Sequence, residues 1–544
     1  MKNTTSTRRK SIFLKKLGML AVFSPIFLSL FSACADTEPI DEDETDPSIN
    51  PPITFVEDDE ETPTEADGIK YRLPLAFPGA EGYGRDTKGA RNSDKIEIYH
   101  VRNTNNGGTG SFKDAISESN RIIIFDVAGV INMNKEVYVL KSNQTILFQT
   151  APGDGIELYN GRVSSSGASH LIVRYMRMRT GRQADGGDNM DAGGVANGEY
   201  QIYDHCSFTW GCDENFSINP DGKGTRPQNI TLQNSIIGQG CMNHSCGGLI
   251  QTNENEGITI FRNLLIDNKT RNFKVKGLNQ YVNNVVYNWG NGAAYNMGGE
   301  SAGTSNTTIV NNYFIKGPGW TWQNYKEADV DPNIIGDETQ CSPSSDGYYE
   351  VLGQVNPTKP FIGGDGDGDF KTYCIGNFYD ANKDGILNGI EITQSNWDTY
   401  CSASPVFLNT PSYKHKTIWA QTDAKKAYEW IVKYVGASLP ARDHVDAFMI
   451  DELTSLGEKG TIFRDQRKIQ QYPLANTWQN INTVNNKPLD TDGDGIPDDW
   501  EDANGLNKND PSDALIIPEG QIYTWIEIYA NSLVPEEGIY IENK

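Results

Sequence analysis

HLIVRYMRMRTG (170–181), YQIYDHCSFTWG (200–211), NITLQNSIIGQG (229–240), GITIFRNLLIDN (257–268), NQYVNNVVYNWG (279–290) and NTTIVNNYFIKG (306–317) are six versions of one phrase. Each opens with alternating apolar and polar residues, breaks at a central Asn, Asp or Arg, and resumes with a second apolar pair. Their starts fall 22 to 30 residues apart, the range in which self-similarity marks a solenoid. Alternation inside each phrase reads as strand, with Ile, Val, Leu, Tyr and Phe turned into a narrow core. No helix-length apolar stripe separates the phrases, which argues against βαβ units. Stacked coils of short parallel strands follow: an all-β parallel β-helix. Asn234, Asn263, Asn284 and Asn312 are then expected to line up at one corner, their amides bonding to the coils above and below. Between the strands lie the charged residues that draw the eye as a site: Asp188, Asp191, Asp213 and Arg271.

A solenoid lengthens by adding coils, so 544 residues are compatible with one long domain. The formal charge of −25 excludes a nucleic-acid partner of the usual kind, which needs a basic face. It also repels an acidic polymer unless cations stand between the two, and that points to Ca²⁺. Of eight cysteines, Cys34 has a separate fate; the remaining seven are an odd number. Cys241 and Cys246 are close enough in sequence to pair in an oxidising compartment, with connectivity left open. No cysteine spacing matches a common zinc pattern.

Residues 1–34 carry basic residues followed by an apolar run from Leu17 to Ala33, the layout of an export signal. The run ends Leu30-Phe31-Ser32-Ala33-Cys34, which resembles the lipobox of bacterial lipoproteins and implies cleavage and lipidation at Cys34. Residues 35–68 hold fourteen Asp or Glu and no Lys or Arg, so they are expected to form a disordered tether. The expected location is an outer-membrane lipoprotein at the cell surface, or a secreted protein, acting as a monomer. The main domain is expected over 69–480. Within it, DANKDGILNGIE (380–391) fits an EF-hand loop on paper, and Ala424 to Val435 and Asp443 to Leu456 read as short helices. Residues 481–544 form a small C-terminal module. There Asp490, Asp492, Asp494, Asp498 and Glu501, with Gly495 at the turn, match the D-x-D-x-D-G-x₅-E calcium loop at every ligand position.

AFPGAEGYG (76–84), GTGSFKDAI (108–116), FDVAGVI (125–131), QTAPGDGI (149–156) and YDHCSFTWGCDEN (203–215) occur in that order. Together they resemble a bacterial pectate lyase of polysaccharide lyase family one, over about residues 75 to 465. The resemblance implies a right-handed parallel β-helix and Ca²⁺-assisted β-elimination of polygalacturonate. It also implies a primary Ca²⁺ held by acids from successive coils, for which Asp191 and Asp213 are the best matches, with Asp188 and Glu214 beside them. Ser217 and Asn189 stand where further acids would be welcome. Arg271-Asn272-Phe273-Lys274-Val275-Lys276 resembles the family's R-x-P-x-x-R. It aligns Arg271 with the proposed proton acceptor and Lys276 with a substrate-binding residue. Family members place a Lys between these strands, and only His244 is available for that role. Arg179 and Arg182 are candidates to meet substrate carboxylates, Trp210 to border the cleft, and His205, beside Asp204, to be structural.

The chemistry explains these residue types. A carboxylate barely acidifies the carbon next to it, so removing the C5 proton of a uronate needs positive charge on that carboxylate. Hard oxygen ligands, fixed cations and a base against C5 form the minimum set. Two alternatives differ by class: a pectin lyase on methyl-esterified chains without Ca²⁺, or a surface β-helix that binds glycans without cutting them.

Overall fold

Each coil turns its corner on a left-handed residue. Tyr175, His205, Asn234, Arg262, Asn283 and Asn311 occupy equivalent positions with φ between 50 and 61°, and Gly376 has 63°. This conformation costs an L-residue about 1 kcal/mol or more, and least for Asn; the recurrent Asn is therefore partly a backbone requirement. The computed structural model describes residues 64–66, 69–71, 75–181, 190–241, 244–290, 292–298, 304–337, 340–343, 347–355, 359–363, 369–412, 414–462, 465–466 and 481–535. The export signal with Cys34, most of the tether, Asp188, Asn189 and Arg182 lie outside the described residues. At the tether's end, Thr64–Ala66 pairs antiparallel with Ile69–Tyr71.

Before the corner a coil contributes to a first sheet of 11 strands; after it, to a second of 10. A longer turn leads to a third sheet of 8 strands. Registers are in step: Arg174 pairs with Asp204, Asp204 with Gln233, Gln233 with Phe261, Phe261 with Val282 and Val282 with Val310. Inward residues from all three sheets, among them Val173, Tyr203, Phe208, Phe216, Leu232, Leu265, Val275 and Phe314, fill one continuous core.

The position after the corner carries the expected ladder, one residue from where Asn234 put it. Asn263 donates to Asn284 (3.1 Å), Asn284 to Asn312 (3.1 Å) and Asn312 to Asn377 (2.9 Å). Ser235, not Asn234, holds the rung below, its N–H donating to Asn263 Oδ1. Asn234 is the left-handed residue of that coil and its amide donates to Asp204. His205 holds the same corner position one coil earlier, buried, stacked on Tyr175 with centroids 4.8 Å apart, its Nδ1 3.0 Å from Asp204.

Both expected helices form, as Ala424–Tyr434 and His444–Thr454, capped by the carboxylates of Asp423 and Asp443. Their apolar faces cover the outside of the second sheet, where Ile236, Leu264, Ile266, Val285 and Tyr313 face out. That cover corrects two expectations. Trp210 is buried beneath the helices, donating to Gln239, and does not border a cleft. Arg179 is completely buried and spends its guanidinium on Glu157 (3.1 Å), Thr209 (2.9 Å), Asp443 (2.6 Å) and Asp446 (3.0 Å), so no substrate reaches it. Arg177 adjoins the same group, 3.8 Å from Asp443. Two arginines thus face three carboxylates. Burial, only partly opposed by Arg179, pushes Glu157 up to about 8. Asp443 resists the same burial and is held down to about 2 by Arg179 and Arg177.

Three further expectations are adjusted. Residues 380–391 form a β-hairpin turn: Phe378 pairs with Glu391, and Asn382 donates to Asp384 and Asn388, so the loop's polar groups satisfy one another. All seven cysteines of the described residues are buried, and Cys246 is a free thiol, so it is not paired with Cys241. The C-terminal segment shares a core with the first coils, Ile496, Ile526 and Ala530 packing on Ile122, Ile124 and Leu147. No helix among the described residues is long and apolar enough to cross a membrane.

Candidate active site

The third sheet carries the cleft. Side chains alternate across a strand, so Ser217 and Leu249, which pair in register, point outward while Phe216, Ile218 and Ile250 point into the core. The next coil continues the outward row with Lys274 opposite Leu249 and Lys276 opposite Gln251. At the edge of this face is a cleft of about 320 Å³ lined by Arg162, Asp191, Asp213, Glu214, His244 and Arg271, among others.

Five successive coils deliver its charged groups: Arg162, then Asp191, then Asp213 with Glu214, then His244, then Arg271. Asp191 precedes the short strand Gly193–Val195, Asp213 precedes and Glu214 opens the strand Glu214–Ile218, and Arg271 precedes Lys274–Lys276. Oxygens of Asp191, Asp213 and Glu214 lie within 4.8 Å of one another. Each carboxylate has a basic neighbour: Asp191 pairs with Arg162 (3.2 Å), Asp213 with His244 Nδ1 (2.5 Å) and Glu214 with Arg271. The Glu214 N–H also donates to Asp191, tying adjacent coils together at the cluster.

Crowding shows in the protonation equilibria. Burial, and then the charge of Asp213, push Glu214 up to about 7, with Arg271 opposing. Asp191 is likewise raised, first by burial, with Arg162 opposing. Burial works against the charge on Arg271, but Cys246, Glu214 and Asp213 outweigh it and hold the guanidinium above its usual pKa. Like-charged oxygens this close, partly withdrawn from water, fit a hard divalent cation: the donor set is all oxygen and comes from two adjacent coils.

Arg271 is backed by an aromatic residue where the R-x-P-x-x-R pattern has Pro. Phe273 is fully buried in the coil core, and Gly248 makes room for it: a Cβ there would lie 1.9 Å from the Phe273 ring. Lys276 is half-buried on the outward face, beyond the residues lining the cleft. Arg162 escaped the sequence reading. Its only signal is register, since it sits in the strand Arg162–Ser164, whose Val163 pairs with Gly193. Ser217, where another acid would have been welcome, hydrogen-bonds Asp191.

No family model matches the chain. A probable pectate lyase C of Neosartorya fischeri is 41% identical over 465 residues, covering 85% of this chain and 94% of that protein. The probable pectate lyase C of Emericella nidulans is 41% identical over 471 residues, covering 85% and 93%. Among solved structures, a thermostable pectate lyase aligns with a TM-score of 0.43 at 12% identity, over 66% of this chain and 97% of that one. The class is thus a polysaccharide lyase built as a parallel β-helix. The chain belongs to the pectate lyase family. These two relatives are fungal, and do not support the bacterial assignment taken from the motifs.

Proposed function

We propose that the cleft cleaves de-esterified α-1,4-polygalacturonan by β-elimination, with Ca²⁺ held by Asp191, Asp213 and Glu214. The observation that carries this is the matched set of three carboxylates and three basic side chains on one outward face. When bound there, the ion draws charge from a substrate carboxylate and so acidifies the neighbouring C5 proton. The carboxylates that give oxygens to a cation relax their hold on Arg162, His244 and Arg271, leaving those groups to face substrate carboxylates. With Glu214 and Asp213 turned to the cation, the neutral form of Arg271 costs less, and in that form its guanidine nitrogen accepts the C5 proton. The C5–H electrons form the C4=C5 double bond as the C4–O bond breaks, leaving an unsaturated uronate. Lys276 extends the basic track along the chain, and Asp188 and Arg182 belong to the same proposal by sequence position. A neutral ester needs no bridging cation, so the acidic cluster favours pectate over pectin.

The test is ultraviolet absorbance on polygalacturonate, with Ca²⁺ and then with chelator, for wild type and Arg271→Ala. Absorbance should rise only with Ca²⁺ and vanish in the variant; a wild type that never produces it on pectate or pectin refutes the proposal. Export and lipidation at Cys34 are proposed with it, on the lipobox alone. Fatty-acid labelling lost in Cys34→Ala checks that; an unlabelled wild type rejects it.

A further inference from the structure

The second acidic cluster lies far from the cleft and owes nothing to that function. Oxygens of Asp494, Glu501 and Asp513 come within 4.8 Å of one another, and so do those of Asp490, Asp492 and Asp494. Asp513 is outside the calcium-loop motif, twelve positions beyond its last ligand, at the start of the turn Asp513–Leu515. Asp498, which the motif counts as a ligand, is occupied elsewhere: its carboxylate accepts from the Thr491 N–H (2.7 Å) and hydroxyl (2.6 Å). Asp490 accepts from the N–H groups of Gly493 and Gly495, shaping the turn.

Crowded acids alone do not make a site; the decisive feature is what they lack. Glu501 is completely buried, yet neither of its carboxylate oxygens has a hydrogen-bond partner among the described residues. One oxygen each of Asp492, Asp494 and Asp513 is buried and unpartnered too. A buried carboxylate with nothing to satisfy it is costly, and unpartnered oxygens of Asp494, Glu501 and Asp513, in a cluster that shares Asp494 with Asp492, are the complement of a cation. An all-carboxylate set with little room for retained water suits Ca²⁺ better than Mg²⁺, which dehydrates reluctantly.

The loop is pressed against the β-helix. Between Asp494 and Glu501 lies Ile496, fully buried against Ile122, Ile124 and Leu147 of the first sheet. Gly495, with φ of 97°, leaves no space: a Cβ there would lie 2.1 Å from Ile124 Cδ1. The helix Trp525–Ser532 covers the same strands, held by Arg91 on Glu527 (2.9 Å) and Arg174 on Asn531 (2.8 Å). We propose that Asp494, Glu501 and Asp513, with Asp490 and Asp492 beside them, bind a structural Ca²⁺ that clamps the C-terminal segment onto the first coils, with Asp498 as a staple of the loop rather than a ligand.

The experiment uses the full mature chain with Asp213→Asn, which cripples the cleft's cation cluster, and Tb³⁺ as the probe. Trp500, next to Glu501, sensitises luminescence from an ion held here. Asp513→Asn and Glu501→Gln should each weaken the sensitised binding by about tenfold or more. In the unmutated protein, Ca²⁺ should protect Lys508 from trypsin, and chelation should expose it. Undiminished Tb³⁺ affinity in Asp513→Asn overturns the assignment of that ligand; equal cleavage at Lys508 with Ca²⁺ and with chelator overturns the clamp.

Discussion

Replacing Arg179 with Met removes a charge from the driest part of the molecule while keeping its length. The guanidinium makes four hydrogen bonds, three of them to the carboxylates of Glu157, Asp443 and Asp446. Bonds to charged groups contribute about 1.5–3 kcal/mol each, but they do not simply add, since an abandoned carboxylate can take up a proton. One-sided removal from a buried pair costs about 3–5 kcal/mol, and three stranded partners place Arg179→Met at the upper end. Arg226→Met is the control: that side chain is 43% exposed in its pair with Glu256, and such pairs contribute less than about 1 kcal/mol. Urea unfolding followed by tryptophan fluorescence measures both. The folded fraction of Arg179→Met should keep its KM for polygalacturonate, because the residue sits under helices on the second sheet and the cleft is on the third. A loss no larger than the control's refutes the buried network. A raised KM with unchanged stability would return Arg179 to the substrate.

Three other outcomes follow from the same geometry. Glu157 is raised from 4.5 to about 8 in the fold, so its contribution is full below about 4.5 and is lost as pH rises towards 8. Against Glu157→Gln, wild-type stability should therefore fall by about 1.4 kcal/mol per pH unit inside that window, and parallel pH curves would contradict it. Gly248→Ala drives a methyl into Phe273, two residues from Arg271; overpacking costs about 1–3 kcal/mol, and lyase rate should fall along with melting temperature, whereas an unaltered rate would show Phe273 does not position Arg271. Asn284 Oδ1 accepts from Asn263 N (3.0 Å) and Nδ2 (3.1 Å). Asn284→Ala should cost about 1–3 kcal/mol and speed amide exchange in the flanking coils, and a change below about 0.5 kcal/mol would count against the ladder.

The β-helix was legible because its repeat is written in local alternation, which each coil states afresh. The Asn ladder was legible too, though displaced at one coil. Asn suits both the left-handed corner and the rung after it, and in Gln233-Asn234-Ser235 it occupies the corner while Ser235 takes the rung. Asp213, Glu214 and Arg271 were found by motif and do meet in one cleft. Arg162 was missed because only the stacking register brings it to Asp191. Arg179 was misplaced for the opposite reason: Arg-Met-Arg reads as an exposed strand until helices some 250 residues later cover it, with Asp443 and Asp446 264 and 267 positions away. Asp513 likewise has no local pattern tying it to Glu501. Contacts between distant segments decide these cases.

Most of this chain can fold as it is made, each new coil finding its partner in the coil before it. The outer faces of the first two sheets are exceptions, and the first waits longest. Ile122, Ile124 and Leu147 emerge early, but Ile496, Ile526 and Ala530, which cover them, belong to the far end, and Arg91 waits 436 positions for Glu527. For most of its synthesis the growing solenoid therefore carries a bare apolar stripe, a hazard for association with other chains. The helix Trp525–Ser532 and the loop around Ile496 close that stripe only after every coil of the solenoid has been made.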